Sequence, residues 1–316
     1  MAPRHALQLV DRNLKDIMNS KVPFGGKIMI LGGDFRQMLP VKQNATRSEL
    51  VNLCIKYSNV WPAFFQFSLI QNMRALPQEK EFSSFLLQVG NGTANYNEND
   101  LEIPEYCIAP PGTNIAEDIY GEVIRNKEFD KLTKIAILSA RNVDVDDINR
   151  SVVELLDIET EKIYTSINSV KNCDNNEIGE ALLPEYLETL NPPNLPPHEL
   201  RLRVNTVVML IRNLSINEGL CNGTRLQVLE LKNHLLKCKI LTGDKCGQIV
   251  FINRITLYSD ERYPFQFGRR QFPIRIAFVM TINKSQGQTF DKIGIDLRRD
   301  VFNHGQLYVA LLRVRS

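Results

Sequence analysis

Polar side chains suited to phosphate oxygens gather in a few short segments of this sequence. In Thr281-Ile282-Asn283-Lys284-Ser285-Gln286-Gly287-Gln288, hydroxyl, amide and ammonium donors follow the apolar run Ala277–Met280 and surround a glycine. A strand that breaks into such a turn ahead of a helix suits an oxyanion, because short donors and backbone N–H groups converge and glycine allows close approach. Gly32-Gly33-Asp34-Phe35-Arg36-Gln37 ends a second apolar run, Lys27–Leu31. Polar residues at the carboxyl end of a parallel strand point into the ligand crevice of an open α/β sheet. Two further segments, Leu69-Ile70-Gln71-Asn72-Met73-Arg74 and Tyr308-Val309-Ala310-Leu311-Leu312-Arg313-Val314-Arg315, end in arginines. A planar, permanently charged guanidinium can meet charge spread over several oxygens.

Other chemistries are poorly served. The histidines at 5, 198, 234 and 304 lack metal-ligand spacing, and the six cysteines contain no CxxC pair. Neither a zinc site nor a disulfide framework is expected, and the thiols are read as reduced. No Gly-x-x-x-x-Gly-Lys-[Ser/Thr] phosphate loop occurs, and no hydrophobic strand ending in Asp-Glu precedes residue 30.

In order and content these segments resemble the motor core of the petite-integration-frequency (Pif-type) helicases of superfamily one, especially the branch carried by Helitron transposons. The resemblance implies a RecA-like P-loop NTPase fold and ATP-dependent movement along single-stranded DNA, 5′→3′, with unwinding at duplex junctions. Mg²⁺-ATP would lie between two RecA-like domains. Residues 32–37 resemble the motif whose Gln37 senses the terminal phosphate, with Asp34 beside the nucleotide. Residues 69–74 resemble the motif that supplies Arg74 to the γ-phosphate, and residues 308–315 the one that supplies Arg313. Thr281, Asn283, Lys284 and Ser285 would hold successive DNA phosphates, while Gln286, Gly287 and Gln288 face the nucleotide. Two departures stand out: Asn283 occupies a position where many relatives carry His, and Leu312 replaces the usual Ser before the arginine. Without the phosphate loop and Asp-Glu pair, the chain resembles the carboxyl-terminal three-quarters of such a core, expected to be inactive alone. The family serves repair, recombination, telomere maintenance or Helitron transposition. A nuclear monomer is expected, with the mitochondrion as the alternative compartment. A non-catalytic remnant that only binds single-stranded DNA stays open as a second reading.

The elements that must position these residues follow from periodicity. Leu7, Val10, Leu14, Ile17 and Met18 share one helical face, and Pro23-Phe24-Gly25-Gly26 turns into the strand Lys27–Leu31. Helix and then strand are expected over Leu50–Phe67, and a helix over Gln78–Val89 stopped at Gly90. Trp61, Phe64, Phe65 and Phe67 are read as core packing in preference to a base-stacking platform. Lys134–Leu138 begins a second α/β unit, and Arg275–Ile282 reads as one strand completing it. Between them, alternating runs with Gly-containing turns predict a small antiparallel barrel, SH3-like by resemblance, in which Asn222-Gly223 makes a tight turn. The expected domains are 1–90 (end of the first RecA-like domain), 91–133 (connection), 134–168 with 274–316 (second RecA-like domain) and 169–273 (inserted barrel).

With 316 residues, 43% hydrophobic and 23% charged, the chain can bury a substantial core. No apolar run approaches the ~20 residues of a membrane span, so no membrane partner is expected. Charge is uneven: residues 143–190 hold twelve acidic against three basic residues, and 262–316 ten basic against three acidic. The basic block contains the polar turn, as a phosphate-backbone partner requires.

Overall fold

The computed structural model describes residues 2–40, 42, 45–69, 80–94, 100–171, 184–190, 192, 194–259, 265–303 and 305–314. Helices are α1 (Arg4–Ile17), α2 (Arg47–Asn52), α3 (Lys80–Asn91), α4 (Glu122–Arg125), α5 (Asn142–Glu154), α6 (Pro184–Thr189) and α7 (Gln306–Leu311). The chain divides into two compact units. One is Met1–Pro110 with Ser285–Asp291 and Leu297–Ser316; the other is Pro111–Lys284 with Lys292–Asp296.

In the first unit, α1 forms where the spacing predicts a helix, but of the expected apolar face Leu7 is buried and Leu14 half-buried, while Val10, Ile17 and Met18 are exposed. Leu7 packs with Phe24 and Val60, and Leu14, Met29, Ile55 and Phe64 close around them. Asp11 is buried on the same face, where Oδ1 accepts from the Phe24 N–H at 2.7 Å and Oδ2 from Lys15 Nζ at 2.7 Å. This carboxylate anchors the turn in which Phe24 and Gly25 take φ of 53° and 60°. Thr46 and Glu49 form a reciprocal capping box on α2. The expected strand at Lys27–Leu31 is extended but belongs to no ladder among the described residues, and Ile28 and Ile30 are 92% and 89% exposed. Phe65 and Phe67, expected in a packed strand, are likewise exposed. Alternation marks extended backbone, but only a neighbouring strand turns it into sheet. Phe24, Phe64, Trp61 and Phe35 do stack edgewise or tilted in series, but of these Phe24 and Phe64 belong to the core cluster while Trp61 is half-buried and Phe35 exposed.

All named strands lie in the second unit: β1 (Ile135–Ser139), β2 (Lys162–Thr165), β3 (Ile167–Lys171), β4 (Glu199–Leu202), β5 (Val207–Leu210), β6 (Arg225–Leu231), β7 (Leu235–Ile240), β8 (Ile249–Asn253), β9 (Ile255–Tyr258), β10 (Gln266–Gln271), β11 (Ile274–Ile276), β12 (Val279–Thr281) and β13 (Lys292–Asp296). Strand β1 is buried along its whole length and pairs in parallel with β12 on one side and β13 on the other. Such continuous apolar runs are what a parallel strand covered on both faces requires.

The expected single strand Arg275–Ile282 is two. Its first part, β11, continues the antiparallel sheet β11-β5-β6-β7-β8, whereas β12 joins β1. The antiparallel region therefore extends to Ile276 rather than ending at 273. Asn149 secures the switch: its Nδ2 donates to Val279 O at 3.2 Å and its Oδ1 accepts from Val279 N–H at 2.9 Å. The expected antiparallel strands are present, but helix α6 lies among them, and hydrogen bonding divides them into the five-stranded sheet, β3-β10-β9 and β2-β4. Gly223 supplies the expected turn with φ of 92°.

Residues 111–133 are core of this unit rather than connection. A helical stretch from Glu117 through α4 buries Ile119 and Tyr120, and the Tyr120 hydroxyl donates to Phe278 O at 2.7 Å. Arg225 is fully buried, with Nη2 donating to Ile135 O at 3.3 Å, so it fastens the antiparallel sheet to β1.

Candidate nucleotide and nucleic-acid sites

In the first unit the loop after the extended segment carries Asp34 and Gln37. Asp34 Oδ1 accepts from Arg36 N–H at 3.0 Å, an Asx-type turn that fixes the loop. Its Oδ2 accepts from the Tyr308 hydroxyl on α7 at 2.9 Å. Burial and then this bond to an anionic partner push the Tyr308 phenol up to about 12, so it remains a donor at neutral pH. Gln37 Oε1 accepts from Gln286 Nε2 at 2.7 Å.

Glycines permit this closeness. A Cβ on Gly305, whose φ is 74°, would lie 2.5 Å from Arg36 O, and one on Gly90 in α3 would lie 2.8 Å from the Tyr308 ring. Gly287, at φ 87°, has open space where a side chain would stand. An oxyanion can approach the backbone there.

Arg313 also belongs to this unit, but its environment differs from that of an exposed finger. It is 2% exposed, with Nε donating to Val309 O and Nη1 to Gln288 O, each at 3.1 Å. The guanidinium thus braces the end of α7 against the turn at Gln288. Arg74 lies outside the described residues.

In the second unit the carboxyl ends of the parallel strands align polar side chains. Ser139 is in register with both Thr281 and Asp296, and Ser139 Oγ donates to Asp296 Oδ2 at 3.4 Å. This is where an open α/β sheet receives ligands. Thr281 and Lys284 also line a cleft of about 810 Å³ with Asn142, Asp146 and Arg275. Lys284 is exposed at the cleft, where partial desolvation and then repulsion from Arg275 lower its pKa while Asp146 opposes the change. Asn283 is exposed. Ser285 is not available as expected: its side chain is fully buried.

The structure thus brings Asp34, Gln37, Gln286, Gly287 and Gln288 into one unit, and Thr281, Asn283 and Lys284 into the other. Sequence reasoning missed the roles of Tyr308, Ser139, Asp296, Asp146 and Arg275. The strand-end rule could have marked Ser139 and Asp296; nothing local marks Asp146 or Arg275. The amides and the open glycine fit phosphate oxygens. Among the described residues no group of three His, Cys, Asp or Glu could hold a metal ion, so Mg²⁺ is not fitted by these residues alone. No helix among them is long and apolar enough to cross a membrane.

Residues 1–100 match the family model PIF1-like helicase, and residues 185–231 match that of the DNA helicase Pif1 2B domain. Over these two segments the chain is similar to Pif1-type helicases. It is similar to the ATP-dependent DNA helicase PIF1 of Danio rerio, 27% identical over 313 residues that cover 96% of this chain and 41% of the relative. To the ATP-dependent DNA helicase Pif1 of Bdellovibrio bacteriovorus it is 26% identical, covering all of this chain and 62% of the relative. A Pif1 helicase structure describing DNA unwinding at forked duplex by two coordinating Pif1 helicases is 25% identical with a TM-score of 0.67, covering all of this chain and 65% of that one. Pif1 helicase from Candida albicans, at 22% identity, TM-score 0.68 and coverage of all of this chain and 68% of its own, shares the fold. The chain therefore spans less than two-thirds of the length of these curated relatives.

Proposed function

We propose that this chain is the motor portion of an ATP-dependent DNA helicase that moves 5′→3′ on single-stranded DNA and opens duplex junctions. The observation that carries this reading is the pairing of Gln37 with Gln286, which puts two amides and the open Gly287 in one place. Asp34, Gln37, Gln286, Gly287 and Gln288 face the nucleotide, Arg74 is the arginine that would meet its terminal phosphate, and the buried Arg313 braces the turn at Gln288 behind them. Thr281 and Lys284 hold DNA phosphates from the cleft, with the exposed Asn283 beside them in the chain. Bound ATP supplies the free energy of phosphoryl transfer, with Mg²⁺ as its counterion.

An amide suits the coupling task because it both donates to a phosphate oxygen and accepts from a neighbour. Gln37 exchanges Gln286 for phosphate when a nucleotide enters, which frees the turn at Gln286–Gln288. That turn directly follows Lys284 and Ser285, so a change at the nucleotide alters the segment that grips DNA. The Helitron-like branch, action as a monomer, and a nuclear or alternatively mitochondrial location belong to the same proposal. So do roles in repair, recombination, telomere maintenance or transposition.

These 316 residues contain no Gly-x-x-x-x-Gly-Lys-[Ser/Thr]. We therefore place their residual activity in single-stranded DNA binding without ATP turnover. Oligonucleotide affinity across a salt series, with phosphate release measured in parallel, tests the proposal. Binding should weaken steeply with salt, and Lys284→Ala should lower the log–log slope by about 1. DNA-stimulated phosphate release would overturn the ATPase statement; salt-independent binding indifferent to Lys284→Ala would overturn the DNA site.

A further inference from the structure

The cleft that holds Lys284 also holds acids, which a phosphate-binding surface does not need. Glu161 and Glu199 are paired with Arg201 and Arg203, whereas Asp146 shares the end of the lining that carries Lys284 and Arg275 and enters their electrostatic balance. Asp146 lies on the second turn of α5 and lines the cleft with Arg275 and Lys284. Arg275 is fixed from behind: its Nη2 donates to Pro192 O at 3.1 Å and to Leu195 O at 2.8 Å. It cannot swing out to follow a ligand without losing both bonds. Of the other charges facing Asp146, Arg150 is drawn into an ion pair with Asp147 one turn away on the same helix. Arg275 and Lys284 remain as the cations across from it.

We propose that Asp146 is a built-in competitor for the DNA phosphate, an anion that occupies the field of Arg275 and Lys284 and is displaced when a strand enters. The inference rests on the DNA-binding reading above. Asp146 is exposed at the mouth of the cleft; partial desolvation there holds its carboxyl above the usual carboxylate range, Arg275, Arg150 and Lys284 pull it down, and Asp147 pushes it up. A bare pair of cations would grip a phosphate tightly and release it slowly. A carboxylate that returns as the phosphate leaves lowers the barrier to release, which a protein stepping along a strand requires. Asp146 thus trades affinity for exchange.

The test is anisotropy of a fluorescent oligothymidylate with the full chain, each variant first checked by circular dichroism and thermal melting. Asp146→Asn should bind about three- to tenfold more tightly and dissociate more slowly, since one repulsive charge is removed from a partly screened site. Asp146→Glu keeps the charge and should stay near wild type. In Asp146→Asn combined with Lys284→Ala the gain should shrink, because the competition is for that cation. Unchanged or weaker binding by Asp146→Asn, with salt-sensitive binding by the wild type intact, overturns this inference and leaves the DNA site standing. Absence of oligonucleotide binding by the wild type overturns both.

Discussion

Gln286 Nε2 donates to Gln37 Oε1 at 2.7 Å across 249 positions of sequence. Each side chain is a carboxamide, so each keeps further donor or acceptor capacity beyond the shared bond. A phosphate arriving at Gly287 meets groups already held together. The loop bearing Gln37 is in turn held by Tyr308 through Asp34 and by the close approach of Gly305.

Gly305→Ala should disturb this loop. The substitution combines a positive φ of 74° with a Cβ placed 2.5 Å from Arg36 O and 2.8 Å from Gln37 C. A loss of about 1–3 kcal/mol is expected. Thermal denaturation and amide hydrogen exchange at residues 34–37 report it, and exchange at wild-type rates would show that the contact is not restraining the loop.

Stability should depend on pH through Asp11. Burial raises its pKa, but the bonds from Lys15 and the Phe24 N–H outweigh burial, so the folded pKa lies below the ordinary value. Stabilisation is thus complete above the unfolded pKa of about 3.9 and is lost as pH falls through the lower folded value. Asp11→Asn should remove that acid limb in melting curves between neutral pH and strong acid. Identical curves for variant and wild type would exclude the role.

Arg203 caps the carboxyl end of α5. Its Nη1 donates to Val153 O, Glu154 O and Leu156 O at 3.1, 3.2 and 2.7 Å, and its Nε to Glu161 Oε2 at 2.9 Å. Arg203→Ala should cost about 2–4 kcal/mol by leaving buried carbonyls and a carboxylate without their donor. Arg203→Lys should recover less than half, because an ammonium cannot span carbonyls and carboxylate together. Chemical denaturation provides the comparison, and full rescue by lysine would count against the cap.

Arg313→Ala should loosen the structure even with no nucleotide present. Its guanidinium holds Val309 O and Gln288 O, and its backbone oxygen accepts from Phe290 N–H at 2.8 Å. Hydrogen exchange should rise in residues 286–290 and 306–314. Unaltered exchange would mean that the buried guanidinium is not a strut.

Local pattern carried much of this protein into the sequence. The spacing of Leu7 and Leu14, the apolar block Ile135–Leu138 and the helix expected at Gln78–Val89, observed as Lys80–Asn91, were legible because side chains three or four apart, or contiguous apolar runs, reflect neighbours along the chain. The donor types at 281–288 were legible for the same reason: phosphate chemistry depends on which groups stand in a row. Tertiary structure alone decided which partners those rows acquired. It split 274–282 between two sheets, because strand pairing is made by residues distant in sequence and the Asn149 side chain, 130 positions away, takes up the N–H and C=O of Val279. It also turned Ser285 and Arg313 inward while placing Asp146 beside Arg275, since a side chain becomes strut, ligand or competitor according to the carbonyls and charges around it.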